Sequence, residues 1–175
     1  MFKILEDFIE RKKGAKAFSN LVQYTNIESE EPFNSSDNYP VADFYTLLEG
    51  ACNIYHLRTE EMQKNVGTYL FRHLLREYAD LLSCKKAKKI ILSLDKLMRI
   101  EIEKLYPEVE LPEFIYKDGG GDELEIITLT ENKAYFLIES LVREVSSHCK
   151  ENIIIDCEEI TCDGKEAFKY RLTFE

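Results

Sequence analysis

The stretch KKAKKIILSLDKLMRIEIEKLYP, which runs from Lys85 to Pro107, carries the clearest structural pattern in the chain. Its apolar residues recur at intervals of three and four positions, which is the spacing of one face of an α-helix. Proline has no N–H to continue a helix, so Pro107 ends the element. These apolar residues predict a helix that packs on a core. The apolar stripe consists of Ala87, Ile90, Ile91, Leu94, Leu97, Met98, Ile102 and Leu105.

The chain before this helix has the pattern of five further helices. Gly14 stops the first, a polar loop follows the second, and Pro40 opens the third, because a first helical turn tolerates proline. Thr59 is the expected N-cap of the fourth, since two glutamates follow it at the positive end of the helix dipole. The predicted segments are Phe2–Lys13, Ala15–Tyr24, Pro40–Tyr55, Thr59–Phe71 and His73–Cys84.

After Pro107 the pattern changes from helix to strand. The sequence KDGGGD between two apolar segments predicts a hairpin, because its glycines can adopt positive φ. A helix and two more strands follow, so the chain predicts one α+β domain over residues 1–175. It would have a helical N-terminal part of about six helices, followed by a four-stranded antiparallel sheet with one inserted helix. We divide the domain into residues 1–84, the helical part, and residues 85–175, which hold the helix of Met98 and the sheet part. The predicted segments are Leu111–Tyr116, Glu123–Thr130, Asn132–Lys150, Asn152–Thr161 and Glu166–Phe174.

Composition narrows the classes of function. The formal net charge of −10 argues against binding to nucleic-acid phosphates. No apolar run is long enough to span a membrane, and the N-terminus does not have the pattern of a signal peptide. Five cysteines without a framework spacing then indicate free thiols in a cytoplasmic protein. We expect no enzyme and no catalytic residues, because no acid–base pair stands out and KDGGGD lacks the Lys-Ser/Thr of a phosphate loop.

Several stretches of the chain, in the order of these elements, match the pattern of a known family. They are IERKKG, NYPVADFYTLLEGACNIYHLRTEEMQKNVGTYL, LDKLM, LYPEVELPEF and ENKAYFLIESLVREV. Together they resemble the H-NOX family, the haem–nitric oxide/oxygen binding sensor domains. The resemblance covers essentially the whole chain and implies the H-NOX fold. It also implies a role in signal transduction, because relatives act on histidine kinases or cyclases by moving the helical part against the sheet part.

The resemblance marks where the family holds its haem, and these positions are substituted here. Met98 stands where the family's Leu-Asp-x-Leu-His motif has its iron-ligating histidine. Thr128, Thr130 and Asn132 stand where its Tyr-x-Ser-x-Arg motif holds the two haem propionates. Neutral donors replace a bidentate arginine, and a lone thioether is a weak iron ligand. We therefore expect that haem is not bound in the family manner and favour no cofactor, with haem b as the alternative.

The haem alternative involves further residues. His73 lies in the helical region that the family uses on the opposite side of the haem, so it is a second candidate iron ligand beside Met98. Its other interpretation is a partly exposed helix residue. A pocket that is filled by side chains or accepts a small apolar ligand would be lined by Leu5, Leu70, Leu74, Leu94, Leu137 and Leu141.

Four zinc-ligand types lie within one C-terminal stretch, namely His148, Cys149, Cys157 and Cys162. Their spacing is not that of a zinc motif, and strand alternation can direct Cys157 and Cys162 to opposite faces. We favour no metal site and interpret these cysteines as free thiols, with a zinc or redox site left open.

These expectations combine into three hypotheses. The first is a stand-alone H-NOX-like sensor or regulatory domain without family-type haem binding, which acts through a protein partner such as a kinase or cyclase, or through a small apolar ligand. The second is a haem-binding nitric oxide sensor with ligation by Met98 or His73. The third is a cysteine/zinc redox sensor.

Overall fold

The computed structural model describes residues 2–27, 41–80, 82–105, 114–128 and 135–175. For residues 2, 4, 41, 95 and 98–105 it describes the backbone alone. These residues form six helices and four strands, which confirms the predicted α+β class. The elements are α1 (Phe2–Lys13), α2 (Ala17–Thr25), α3 (Val41–Tyr55), α4 (Thr59–Glu77), α5 (Ala87–Leu105), β1 (Phe114–Lys117), β2 (Glu123–Thr128), α6 (Tyr135–Cys149), β3 (Ile153–Cys162) and β4 (Lys165–Phe174).

Helix α4 is longer than the sequence indicates. The two segments predicted on either side of Arg72 form one continuous helix, because no proline or glycine interrupts the chain there, and this helix ends at Glu77 rather than at Cys84. Arg58 instead of Thr59 is the N-cap, and its backbone N–H donates to Glu61 Oε2 at 3.1 Å. The described chain therefore has five helices before β1 instead of six. The predicted start at Pro40, residues 111–113 and residues 129–134 lie outside the described residues.

The sheet is fully antiparallel, with the strand order β1-β2-β4-β3. Asp163 and Gly164 form the two-residue turn between β3 and β4, with φ values of 51° and 77°. Both values are positive, as a primed hairpin turn requires. The pairing register places a row of mainly apolar residues on one sheet face, which we call the inner face. It consists of Phe114, Tyr116, Leu124, Ile126, Thr128, Ile153, Ile155, Cys157, Phe168, Tyr170, Leu172 and Phe174.

The core divides into two hydrophobic clusters. The first cluster joins α1, α2, α3 and the first half of α4, with Leu137 of α6. The second cluster joins the end of α4, residues of α5 and α6, and the inner face of the sheet. Helices α4 and α6 contribute to both, so the clusters do not divide at residue 84. A division of the protein into parts 1–84 and 85–175 stays a prediction.

Helices α4 and α6 cross at Gly67. A Cβ atom built there would lie 1.7 Å from Ser140 Oγ and 2.9 Å from the Leu137 carbonyl oxygen. Glycine therefore permits this approach of the two helices. A polar pair also joins the two helices, because the Thr68 hydroxyl donates to Glu144 Oε1 at 3.0 Å. None of the described helices has the length and hydropathy needed to cross a membrane.

Helix α5 is fixed at its first turn by two groups from the rest of the fold. Glu151, just after α6, accepts a hydrogen bond from the Ala87 N–H through Oε2 at 2.9 Å. Lys88 Nζ donates to Asp118 Oδ1 at 2.6 Å, to the Gly121 carbonyl at 3.0 Å and to the Glu123 carbonyl at 2.8 Å. These contacts attach the start of α5 to the sheet and to the end of α6.

Candidate functional site

Position 98, which the family resemblance matches to the iron-ligating histidine, lies inside α5. The helical register places it on the same face as Ile91 and Leu94, which are buried in the second cluster. The description of residue 98 is limited to its backbone. The structure thus places the predicted ligand position on the helix face that continues the second cluster.

Of the three predicted propionate positions, Thr128 alone falls within the described residues. Thr128 ends β2 on the inner face and is buried. Its hydroxyl donates to the Phe168 carbonyl at 3.5 Å, so it serves the sheet itself in this structure. Thr130 and Asn132 lie outside the described residues, and their role stays a prediction.

The six leucines predicted to line a pocket are all in the core, but they do not belong to one cluster. Leu5 and Leu137 belong to the first cluster. The second cluster holds Leu70, Leu74 and Leu94, whereas Leu141 is partly buried and packs against both clusters. The six leucines therefore do not form one group, and whether they face a common ligand stays a prediction.

Tyr170, in the middle of β4, is a functional candidate that the sequence pattern did not single out. It is 1% exposed, and its hydroxyl has no hydrogen-bond partner among the described residues. A buried hydroxyl without a partner is costly, and such groups are rare in folded proteins. The signal in the sequence was a tyrosine at the centre of a strand whose other inward residues carry no polar group.

Tyr170 is surrounded by residues of β2, β3 and α6. Its cross-strand neighbours are Ile126 and Cys157, and its ring stacks on Tyr135 of α6 at a centroid distance of 5.9 Å and an angle of 12°. Burial raises the pKa of Tyr170 far above its ordinary value, and negative charge on Cys157, Tyr135, Tyr45 and Glu139 would raise it further. The hydroxyl is therefore a neutral donor at physiological pH.

Glu139 of α6 is a buried carboxylate whose charge acts on Tyr170, but its oxygens face other groups. Arg143 donates to its Oε1 through Nε at 2.8 Å and through Nη2 at 2.6 Å. Lys64 Nζ lies 3.8 Å from the other carboxylate oxygen, Oε2. Both oxygens thus face cations on the α4–α6 surface, which agrees with the absence of a bond to Tyr170.

His73 is a partly exposed residue of α4, as its more conservative interpretation holds. The helical register places it on the face of Met62 and Val66, which belong to the first cluster. His73 therefore lies on the first-cluster face of α4, whereas position 98 continues the second-cluster face of α5.

The four zinc-ligand candidates are not brought together. His148 and Cys149 end α6, Cys157 lies on the inner face of β3, and Cys162 lies five residues later on the opposite face. Within the described ranges, no three His, Cys, Asp or Glu side chains are placed to hold a metal ion. His148 and Cys84 of the α4–α5 connection both line a surface cavity of about 390 Å³.

Comparison with known proteins gives a consistent identification. The family model described as Haem-NO-binding matches residues 1–157. No curated protein matches the chain significantly. Among solved structures, the Fe(II) unliganded H-NOX protein from K. algicida has a TM-score of 0.79 at 21% identity, covering 99% of this chain and 94% of that one.

Two further solved structures have the same fold. The S. oneidensis H-NOX protein in the Fe(II)NO ligation state has a TM-score of 0.76 at 17% identity, with coverage of 99% of this chain and 97% of that chain. The oxygen complex of an H-NOX domain related to soluble guanylate cyclases has a TM-score of 0.78 at 14% identity, with coverage of 99% and 93%.

These findings correct one expectation from the sequence. The choice of no cofactor is wrong, since the matching family is Haem-NO-binding and the similar structures are described in Fe(II), Fe(II)NO and oxygen-bound states. The physical reason is that the expectation rested only on the four substituted positions, Met98, Thr128, Thr130 and Asn132. A porphyrin is also retained by the apolar surface that it buries, and that contribution does not depend on these four side chains.

Two features of this structure fit a haem. The second cluster is a large apolar region of the core between the sheet and helices α4, α5 and α6. Tyr170 offers this region a buried donor that the described protein does not use. Ligand sites of this kind are mostly apolar, with a few polar groups that orient the ligand.

Proposed function

The chain belongs to the Haem-NO-binding family, and on that premise we propose that it is a haem-based sensor of nitric oxide in signal transduction. The observation that carries the proposal is the second cluster, an apolar region on the inner sheet face that contains one buried and unpartnered hydroxyl. When bound, haem would supply the iron at which a diatomic gas coordinates.

We assign the iron ligand to Met98. Its position in α5 continues the face formed by Ile91 and Leu94, and a methionine thioether is an established haem ligand type. His73 is the alternative, because neutral imidazole is the commonest metal ligand among side chains. The six leucines predicted to line the pocket, which come from both clusters, would exclude water from the bound group.

The output of the sensor would pass through α5. Its first turn is attached to the β1–β2 turn by Lys88 and to the end of α6 by Glu151. A displacement at position 98 would therefore be transmitted to the sheet through these contacts. The receiving protein would be a histidine kinase or a cyclase, and the domain itself would catalyse no reaction.

Spectroscopy of the protein produced with haem supply tests this function. We expect a Soret band that shifts on addition of nitric oxide, and a spectrum without a Soret band would contradict the proposal. Met98→Leu should change the ligation pattern in the visible spectrum if Met98 binds iron, whereas His73→Leu should not. Met62→Leu is the matched control, because Met62 is a buried methionine of the first cluster.

A further inference from the structure

The hydroxyl of Tyr170 is the least expected polar group in the core. Tyrosine hydroxyls that are buried usually find a partner, since an unpaired donor loses its hydrogen bond to water and gains nothing. At Tyr170 the aromatic ring is well accommodated, because it stacks on Tyr135 and lies between Ile126 and Cys157 across the sheet. Packing alone would favour phenylalanine here, so the hydroxyl calls for a separate explanation.

The protein groups around Tyr170 do not supply that explanation. The Glu139 carboxylate is bound by Arg143 and faces Lys64. The neighbouring hydroxyl on the same sheet face, Thr128, donates to a carbonyl of its own sheet. Backbone groups on β4 pair with β2 and β3 on both sides. The neutral Tyr170 hydroxyl can therefore donate only to an acceptor that the described residues do not supply.

We propose that Tyr170 donates a hydrogen bond to the haem assembly bound at the second cluster, and that it is a positioning residue for that assembly. This inference rests on the proposed function. The acceptor would be an oxygen or nitrogen atom, either on a porphyrin carboxylate or on the diatomic gas coordinated to iron. Both are acceptors that a neutral phenol can serve, and neither needs the phenol to lose its proton.

Tyr170 lies on a different element from the positions that the family resemblance matches to haem contacts. Met98 and Thr128 lie on α5 and on β2, whereas Tyr170 lies on β4. It pairs with Ile126, two residues before Thr128, so the two hydroxyl-bearing side chains are diagonal neighbours on the inner face. The sheet would thus contribute its donor through a strand outside the substituted motif.

The test compares Tyr170→Phe with Tyr135→Phe in the full chain. Tyr135 is the matched control, because its ring stacks on Tyr170 while the side chain is only partly buried. Haem is titrated into each haem-free protein, and the CO stretching frequency of each ferrous CO complex is recorded. We expect Tyr170→Phe to weaken haem binding about tenfold or to shift the CO stretch, with Tyr135→Phe within about twofold of the wild type.

The two readouts distinguish the acceptors. Weaker haem binding with an unchanged CO stretch indicates a porphyrin carboxylate, and the difference between wild type and Tyr170→Phe should then be smaller for haem dimethyl ester, whose neutral carbonyl is a weaker acceptor than a carboxylate. A shifted CO stretch with unchanged haem affinity indicates the coordinated gas. If both quantities match the wild type, the inference is overturned while the proposed function stands.

A structural role would give a different result in the haem-free protein. If the hydroxyl had a partner within the protein, Tyr170→Phe would lower the thermal midpoint, and that outcome overturns the inference whatever the haem measurement shows. Removal of an unpartnered hydroxyl should instead leave the midpoint unchanged or raise it by about 2–4 °C. Wild-type protein that takes up no haem would overturn both this inference and the proposed function.

Discussion

The two hydrophobic clusters differ in how deeply their tyrosines are buried and in the hydrogen bonds of the tyrosine hydroxyls. In the first cluster, Tyr45, Tyr55 and Tyr69 are partly buried at its edge, and the Tyr55 hydroxyl donates to the Ala17 carbonyl at 3.4 Å. The second cluster also has partly buried tyrosines, Tyr78, Tyr116 and Tyr135, but Tyr170 is 1% exposed and no described residue accepts from its hydroxyl. The first arrangement is what a core built for stability alone would show. The second is the arrangement on which we base the proposed contact with a ligand.

Truncation of a leucine in each cluster is the strongest way to break this comparison. Leu47 in the first cluster and Leu97 in the second are both at most 2% exposed. Either change to alanine should reduce the free energy of unfolding by about 2–5 kcal/mol, because it leaves a cavity. Chemical denaturation checks this loss.

Haem titration of the same two variants separates the clusters. Leu97→Ala should lose at least tenfold in haem affinity, whereas Leu47→Ala should lose much less, provided that both remain folded. Equal losses would mean that the ligand does not distinguish the two clusters, and the comparison would fail.

The crossing of α4 and α6 joins the clusters, and Gly67 is its tightest point. Gly67→Ala should lower the free energy of unfolding by about 1–3 kcal/mol, because the new Cβ would overlap Ser140 Oγ at 1.7 Å and press on backbone at Leu137. Gly119→Ala is the control, since no atom lies within 4 Å of a Cβ built there. Urea denaturation with an unchanged m value measures the effect.

Lys88 provides a smaller test, restricted to the second cluster. Lys88→Met keeps the aliphatic part of the side chain and removes the ammonium that binds Asp118 and two carbonyl oxygens of the β1–β2 turn. We expect a loss of stability smaller than that of Gly67→Ala, since part of this pair is exposed to solvent. Hydrogen exchange should be faster in residues 118–124 and unchanged in α2; uniform exchange across the chain would contradict the assigned contact.

Cys157 gives the smallest expected effect, in alkaline solution. Burial, with nearby Glu159 and Glu158, raises the pKa of this thiol from 9.0 to about 11. The folded state therefore holds the proton more tightly than the unfolded state, so this contribution to stability is present below about pH 9 and is lost as the pH rises towards about 11. The Cys157→Ala variant should show a shallower loss of the denaturation midpoint over this window, and parallel curves would refute the assignment.

Much of the fold was predictable because its signals are local. The apolar stripe of α5, the glycine-rich turn after β1 and the Asp163-Gly164 turn each follow from short stretches of sequence. The sequence analysis predicted two segments on either side of Arg72, whereas α4 is continuous to Glu77 because no proline or glycine interrupts the chain there. The N-cap at Arg58 was missed because its carboxylate partner, Glu61, comes from within the helix.

The candidate site was predictable only in part. Sequence pattern placed Met98 and Thr128 correctly on α5 and β2, and it placed Tyr170 on a buried strand face. It could not show that the Tyr170 hydroxyl has no partner, because that depends on where α6 and β3 come to lie in space. The weight given to substituted polar positions also concealed the apolar surface, which is a collective property of many residues.

The most direct test is an equilibrium titration of haem into the purified haem-free chain, followed by its absorption spectrum. We expect saturable binding of one haem per chain with a developed Soret band, and a shift of that band on addition of nitric oxide. A spectrum that remains that of free haem at every ratio of haem to protein would contradict a haem-binding second cluster.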